Sequence, residues 1–257
     1  MTREEIHKLK IQHAEKLAAY RKKLYAHPQL RQLFLELTLK CNEACFHCGS
    51  SCGATRLDGL LAETYIGILD EVRESFDISR LMLCITGGEP LLRQDFFDIL
   101  GYANEVGYKW GMTSNATLIT PDDQRRLFSF IYEKRSEQMP VTYGCSHFVG
   151  FDYEREVRDW YFLCNAGIYT AGIMANGDVS ACLDIERNQR TIQGNILETP
   201  FTKIWNERFE IFRQPLSGMC EGCKGCAYER YCAGGAHHSY DYENNQQRIC
   251  MKGILFE

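Results

Sequence analysis

The chain has 257 residues, 45% hydrophobic and 25% charged, which fits an ordinary globular protein of one or two domains, each with a real core. Its net charge of -5 argues against a nucleic-acid-reading surface, and no run of about 18 apolar residues offers a membrane span. The charged start lacks the apolar stretch of a signal peptide, so the expected setting is the cytoplasm, without a nucleic-acid or membrane partner.

Thr2-Arg3-Glu4-Glu5 is a capping-box pattern, and Leu17, Tyr20 and Leu24 continue a helical stripe that Pro28 closes. Leucines at 33, 35, 37 and 39 alternate as in a strand. Tyr65, Leu69, Val72 and Phe76 predict an amphipathic helix over 62–76. Residues 81–86 read as a short buried strand stopping at Gly87-Gly88. Phe96, Ile99, Leu100 and Ala103 form a further helical face, and residues 108–112 a third strand. This alternation is the βαβ grammar of a parallel sheet, wound right-handed. The second half changes character. Residues 168–175, the turn Asn176-Gly177-Asp178 and residues 179–183 read as a hairpin. Thr199 and Pro200 suit the N-cap and first position of a helix carrying Phe201, Ile204, Trp205, Phe209 and Phe212. Beyond Pro215 lies a Cys/Gly-rich tail of the kind that needs metal to fold.

Thirteen cysteines, about 5% of the chain, are far above ordinary use. Their odd number excludes complete internal pairing, and a reducing cytosol disfavours disulfides, so metal–thiolate chemistry is the default. Cys41-x-x-x-Cys45-x-x-Cys48 follows the first strand. Three such thiolates can hold three irons of a cubane and leave the fourth open. A closed zinc site is the bland alternative, with Cys52 the available fourth ligand. Cys84, inside an apolar strand, reads as a core residue.

The cysteine loop, followed by Thr86-Gly87-Gly88-Glu89-Pro90 at the end of the second strand, resembles the radical S-adenosylmethionine superfamily. The resemblance implies a partial (β/α) barrel in an α/β fold. It also implies that S-adenosylmethionine chelates the open iron, and that an electron from the cluster cleaves it to a hydrogen-abstracting 5′-deoxyadenosyl radical. It places Gly87, Gly88, Glu89 and Pro90 at the methionine amino group, His47 near the adenine, and Ser114 and Asn115 at the methionine and ribose. A plain surface role is the alternative for His47. The glycines would let backbone approach a ligand closely, and strand carboxyl ends are where open parallel sheets bind ligands.

The later cysteines are Cys164, Cys182, Cys220, Cys223, Cys226, Cys232 and Cys250, with Gly177 four residues inside Cys182. This order resembles the SPASM extension of peptide-modifying members, which implies two auxiliary four-iron clusters beside the catalytic one, three in all. By family order Cys223, Cys226, Cys232 and Cys250 share one cluster. Cys164 and Cys182 are left for the other, and Ala236 stands where the family places a further cysteine. Cys220 is assigned to that poorer site, with Cys145 as a weaker candidate and a spare thiol as the alternative for Cys220. A zinc ribbon is the bland reading of the tail. His237 and His238 read as solvated. The expected divisions are a helical segment over 1–30, the partial barrel over 31–143 and the cysteine-rich auxiliary domain over 144–257.

The middle is short. A six-strand barrel needs roughly 190 residues, whereas 115 lie between Cys48 and Cys164. Omitted residues near 127–130, visible as a chain break within 120–144, are the favoured expectation over a truncated barrel with an exposed edge. The leading functional expectation is hydrogen abstraction from a peptide or protein substrate, a ribosomally made precursor, to install an oxidation or crosslink. A flavodoxin- or ferredoxin-type electron donor would be a partner, and no catalytic base is identified. The alternatives are a sulfatase-type formylglycine maturase, and a non-catalytic iron–sulfur carrier or zinc-stabilised module. The N-terminal helix is too short for a winged-helix peptide-recognition domain.

Overall fold

A computed structural model describes residues 2–46, 48–115, 117–118, 147–157, 160–248, 250–252 and 256. His47, Cys145 and the segment in which a break is expected lie outside the described residues.

Helix α1, Arg3–Ala26, opens on the expected capping box. Glu5 N–H donates to the Thr2 hydroxyl at 3.2 Å, and Thr2 N–H donates to the Glu5 carboxylate at 2.7 Å. Its buried stripe is Ala14, Leu17, Arg21 and Leu24, so Tyr20 faces outward. Arg21 is buried because its guanidinium donates to the carbonyls of Phe162 and Tyr231, at 3.1 and 3.0 Å, which ties α1 to the second half.

Strand β1, Gln32–Glu36, ends three residues before the leucine alternation does. Leu33, Leu35 and Leu37 are fully buried, each worth about 2 kcal/mol of apolar burial. Helix α2, Ala62–Ser75, buries Tyr65, Ile68, Leu69 and Val72. Strand β2, Met82–Thr86, helix α3, Phe96–Val106, and strand β3, Lys109–Met112, follow within a residue or two of expectation. Cys84 is half-buried. The strands β1, β2 and β3 pair in parallel, with Glu36 opposite Thr86 and Ile85 opposite Met112, so their carboxyl ends lie along one edge.

The hairpin forms as β4, Thr170–Ile173, and β5, Asp178–Ser180. It joins the same sheet: β4 lies parallel to β1, with Leu33 opposite Ala171, on the side away from β2. A short strand β6, Gly194–Asn195, completes the order β3-β2-β1-β4-β5-β6. The next helix, Phe201–Glu207, has Pro200 rather than Thr199 at its cap, with Pro200 in extended backbone. Its cap comes from α2: the Glu71 carboxylate accepts from Phe201 N–H at 3.1 Å and from Thr202 N–H at 2.6 Å. Phe209 and Phe212 fall beyond the helix, in and before a 3₁₀ turn, yet are fully buried.

Candidate active site and cluster-binding cavity

The turn after β2 folds onto the cysteine loop after β1. Gly88 N–H donates to the Thr38 carbonyl at 2.8 Å and Glu89 N–H to the Lys40 carbonyl at 2.9 Å. A side chain on Gly87 would stand 2.4 Å from the Thr38 oxygen, and one on Gly88 2.0 Å from the Lys40 oxygen. Both glycines are therefore needed for backbone to reach backbone. The close approach expected of a ligand is spent on the cysteine loop itself.

Glu89 is fully buried. Its carboxylate accepts from Leu91 N–H at 3.0 Å, from the Ser114 hydroxyl at 3.0 and 3.1 Å, and from Asn115 N–H at 2.7 Å. It thereby draws the ends of β2 and β3 together. Asn115 Nδ2 donates to Asn42 Oδ1 at 2.9 Å and approaches Cys41 Sγ at 3.7 Å. Gly87, Gly88, Glu89, Pro90, Ser114 and Asn115 thus meet the cysteine loop at one edge.

Within the loop, Cys41 is buried, Cys48 half-buried and Cys45 exposed. Cys52 N–H donates to Cys48 Sγ at 3.2 Å. That amide, with those of Ser50 and Ser51, lowers the Cys48 thiol pKa. Burial pushes the Cys52 thiol up to about 12, helped by neighbouring Cys48. Amide and carboxamide N–H groups aimed at sulfur fit thiolates that ligate a cluster. Among the described residues, no three His, Cys, Asp or Glu side chains converge on a single-ion site. A cubane needs thiolates spread around a wider body.

The sequence reading singled out neither Glu36 nor Arg187. Glu36, at the end of β1, has no exposed surface. Its carboxylate accepts from the Ser50 hydroxyl at 2.5 Å, Arg187 Nη2 at 2.8 Å and Ala175 N–H at 3.2 Å. One buried carboxylate therefore clamps the cysteine loop to the hairpin.

The tail folds around a cavity of about 480 Å³ lined by Cys220, Cys223, Cys226, Cys232 and Cys250. Cys220 was expected to turn toward Cys164 and Cys182; it lines this cavity instead. The reason is local: Cys223 N–H donates to the Cys220 carbonyl at 3.0 Å and Cys226 N–H to the Cys223 carbonyl at 3.1 Å. The first is a 3₁₀ turn over Glu221–Cys223, and the second turns through extended Lys224 and left-handed Gly225. Cys164 and Cys182 pack against the main core, and Cys182 Sγ lies 4.0 Å from an Asp184 carboxylate oxygen. Ala236 is fully buried in a cluster with Phe148 and Phe162. His237, expected to be solvated, is buried. Its Nδ1 meets the Tyr242 hydroxyl at 2.5 Å, and burial lowers its pKa to about 4.

Comparison with known proteins agrees with this arrangement. Residues 164–227 match SPASM, an iron–sulfur cluster-binding domain. An AdoMet-dependent heme synthase of Nitratidesulfovibrio vulgaris is 28% identical over 145 residues, 55% of this chain and 39% of that protein. Mycofactocin maturase MftC of Mycobacterium tuberculosis is 36% identical over 99 residues, 38% of this chain and 24% of that protein. The chain thus spans well under half the length of these curated relatives. The structure of Streptococcus suis SuiB bound to precursor peptide SuiA superposes with a TM-score of 0.62 at 16% identity, covering 93% of this chain and 80% of that one. The chain shares the α/β fold of that structure. The chain is thus similar over part of its length to AdoMet-dependent enzymes, and its residues 164–227 are of the SPASM type.

Proposed function

We propose that this chain is an enzyme that uses S-adenosylmethionine and an iron–sulfur cluster to abstract hydrogen from a residue of a peptide or protein, installing an oxidation or a crosslink. The observation that carries the reading is the joint edge: Cys41, Cys45 and Cys48 on the loop after β1, bound by backbone to Gly88 and Glu89 and by Asn115 to the end of β3. Such a cluster, when bound, supplies the electron that cleaves S-adenosylmethionine.

The chain's own residues do the rest. Cys41, Cys45 and Cys48 would hold the cluster through three of its irons, with the fourth open to the cosubstrate. The N–H groups of Gly88 and Glu89 donate to the cysteine loop and the carbonyls of Glu89 and Pro90 accept from Leu92 and Arg93 N–H, so an ammonium would meet the carbonyls of Gly87 and Gly88. Glu89 holds Ser114 and Asn115 in place beside it, near the methionine and ribose. Auxiliary iron–sulfur sites in the tail serve to pass electrons or bind substrate.

The peptide substrate is supported by the likeness to a mycofactocin maturase and to a protein solved with its precursor peptide. The heme synthase likeness covers more of the chain and favours a tetrapyrrole as the second reading. The test is anaerobic reconstitution with a chemical reductant, measuring 5′-deoxyadenosine in wild type and Cys45→Ala, then mass spectrometry of candidate peptides. Wild-type cleavage with none in Cys45→Ala is expected. Absence of cleavage with fully loaded clusters sinks the enzyme reading in favour of a carrier, and wild-type cleavage by Cys45→Ala shows that this loop is not the radical site. Cleavage that marks only a tetrapyrrole overturns the peptide substrate.

A further inference from the structure

The tail cavity is walled by five cysteines, one more than a cubane takes. Cys223 and Cys226 sit on consecutive tight turns and Cys232 ends the short helix Glu229–Cys232, which also lines the cavity. Two thiols then compete for the fourth iron. Cys250 is exposed, while Cys220 is 4% exposed and packed in the main core.

Cys220 is fixed where a ligand would stand. Its N–H donates to the Ser217 carbonyl and its carbonyl accepts from Cys223 N–H, so backbone bonds hold it on both sides in the lining of the cavity. The thiols of Cys220 and Cys223 hydrogen-bond, and Cys250 lies close enough to act electrostatically on Cys223 and Cys232. Both candidates therefore stand beside Cys223, and Cys250 also acts on Cys232.

We propose that Cys220 is a reserve ligand of the tail cluster: Cys223, Cys226 and Cys232 hold three irons, and either Cys250 or Cys220 takes the fourth. In the exchange the iron–sulfur bond to Cys250 breaks and that thiolate takes up a proton. The Cys220 thiol gives up its proton and forms the new bond, so cluster charge and iron count are unchanged. The inference rests on the iron–sulfur reading of the tail and is independent of the substrate.

The test is iron and sulfide content, with electron paramagnetic resonance of the reduced protein, in Cys220→Ala, Cys250→Ala and the double variant. Each single variant keeps its full iron, and the double variant loses about four irons per chain. The serine pair Cys220→Ser/Cys250→Ser repeats the measurement, and thermal unfolding of each apoprotein beside wild-type apoprotein shows whether the fold itself has changed. Loss of about four irons in Cys250→Ala alone means there is no reserve. The same loss in Cys220→Ala alone makes Cys220 an obligate ligand, and full iron in the double variant means neither binds; each overturns the proposal. The triple variant Cys223→Ala/Cys226→Ala/Cys232→Ala separates the two levels: if it leaves iron content intact, the tail holds no cluster, and the iron–sulfur reading falls together with the reserve.

Discussion

The edge of the parallel sheet and the tail both gather cysteines, but they are held by different means. At the sheet edge the protein supplies its own partners: Glu89 takes Ser114 and Asn115, Glu36 takes Ser50 and Arg187, and backbone bonds seat the glycine turn on the cysteine loop. The tail is a chain of 3₁₀ turns around a cavity, with left-handed backbone at Gly225, Ala233, Gly234 and Gly235. The edge is thus held by the protein's own bonds, whereas cysteine- and glycine-rich loops of the tail's kind draw folding energy from bound metal.

The sharpest way to break that contrast is to remove the clamp from the edge. Arg187→Met leaves Glu36 fully buried with two neutral donors and no cation. Arg187 itself is 31% exposed, so the cost of the broken pair is discounted to about 2 kcal/mol of stability. Urea unfolding should show that loss. Hydrogen exchange should show faster amides at residues 48–52 with no change at 220–232. Uniform loosening of both regions would mean that the edge and tail are not separately held.

A pH series probes the tail side. His237 is buried between Phe212 and Tyr242, and its pKa falls from 6.5 to about 4 because burial penalises the charged ring. The unfolded chain therefore binds a proton that the native state refuses. The stability from this neutral ring is complete above about 6.5 and is lost as pH falls toward 4, amounting to about 2 kcal/mol at pH 5. His237→Asn keeps a hydrogen-bonding atom near the Nδ1 position and should flatten that part of the curve. An identical acid profile in the variant would place the titrating group elsewhere.

What was legible in the sequence follows the same division. Leucine alternation and the spacing of Tyr65, Leu69 and Val72 are local periods, so β1 and α2 could be read directly. The cysteine loop and the Gly-Gly-Glu-Pro turn could be read because their chemistry is compact in sequence. Glu36, Glu71, Arg21 and Arg187 escaped because nothing near them in the chain marks them. Arg187 lies 151 positions from Glu36, and Phe201 130 positions from Glu71. Cys220 was misdirected for a different reason: spacing gives the neighbours of a cysteine, but only the turn type gives the direction of its side chain. Charges met by distant partners, and one thiol placed by a 3₁₀ bend, mark where tertiary structure adds information that pattern cannot carry.

The smallest expected effect tests how the two regions are joined. The helix Phe201–Glu207 begins after Pro200, which brings no N–H and leaves the first donors of the helix to be satisfied from elsewhere. Thr199 was the expected local cap, but Glu71 reaches over from α2 and accepts from Phe201 N–H, Thr202 N–H and the Thr202 hydroxyl. A carboxylate also suits the positive end of the helix. Glu71→Ala removes this cap while leaving Phe201, Ile204 and Trp205 buried, so the loss should be about 1 kcal/mol, the ordinary value of an N-cap. Glu71→Gln should recover part of it, since the amide oxygen still accepts one bond but carries no charge. Because the donors sit in the second half and the acceptor in the first, Glu71→Ala should also lower cooperativity, with a smaller urea m-value or separated transitions by tryptophan fluorescence and by circular dichroism. Trp205 on that helix would report the earlier step. A two-state transition with wild-type slope and midpoint would show that the apolar packing of Phe201 and Trp205 alone joins the regions and that the borrowed cap contributes nothing.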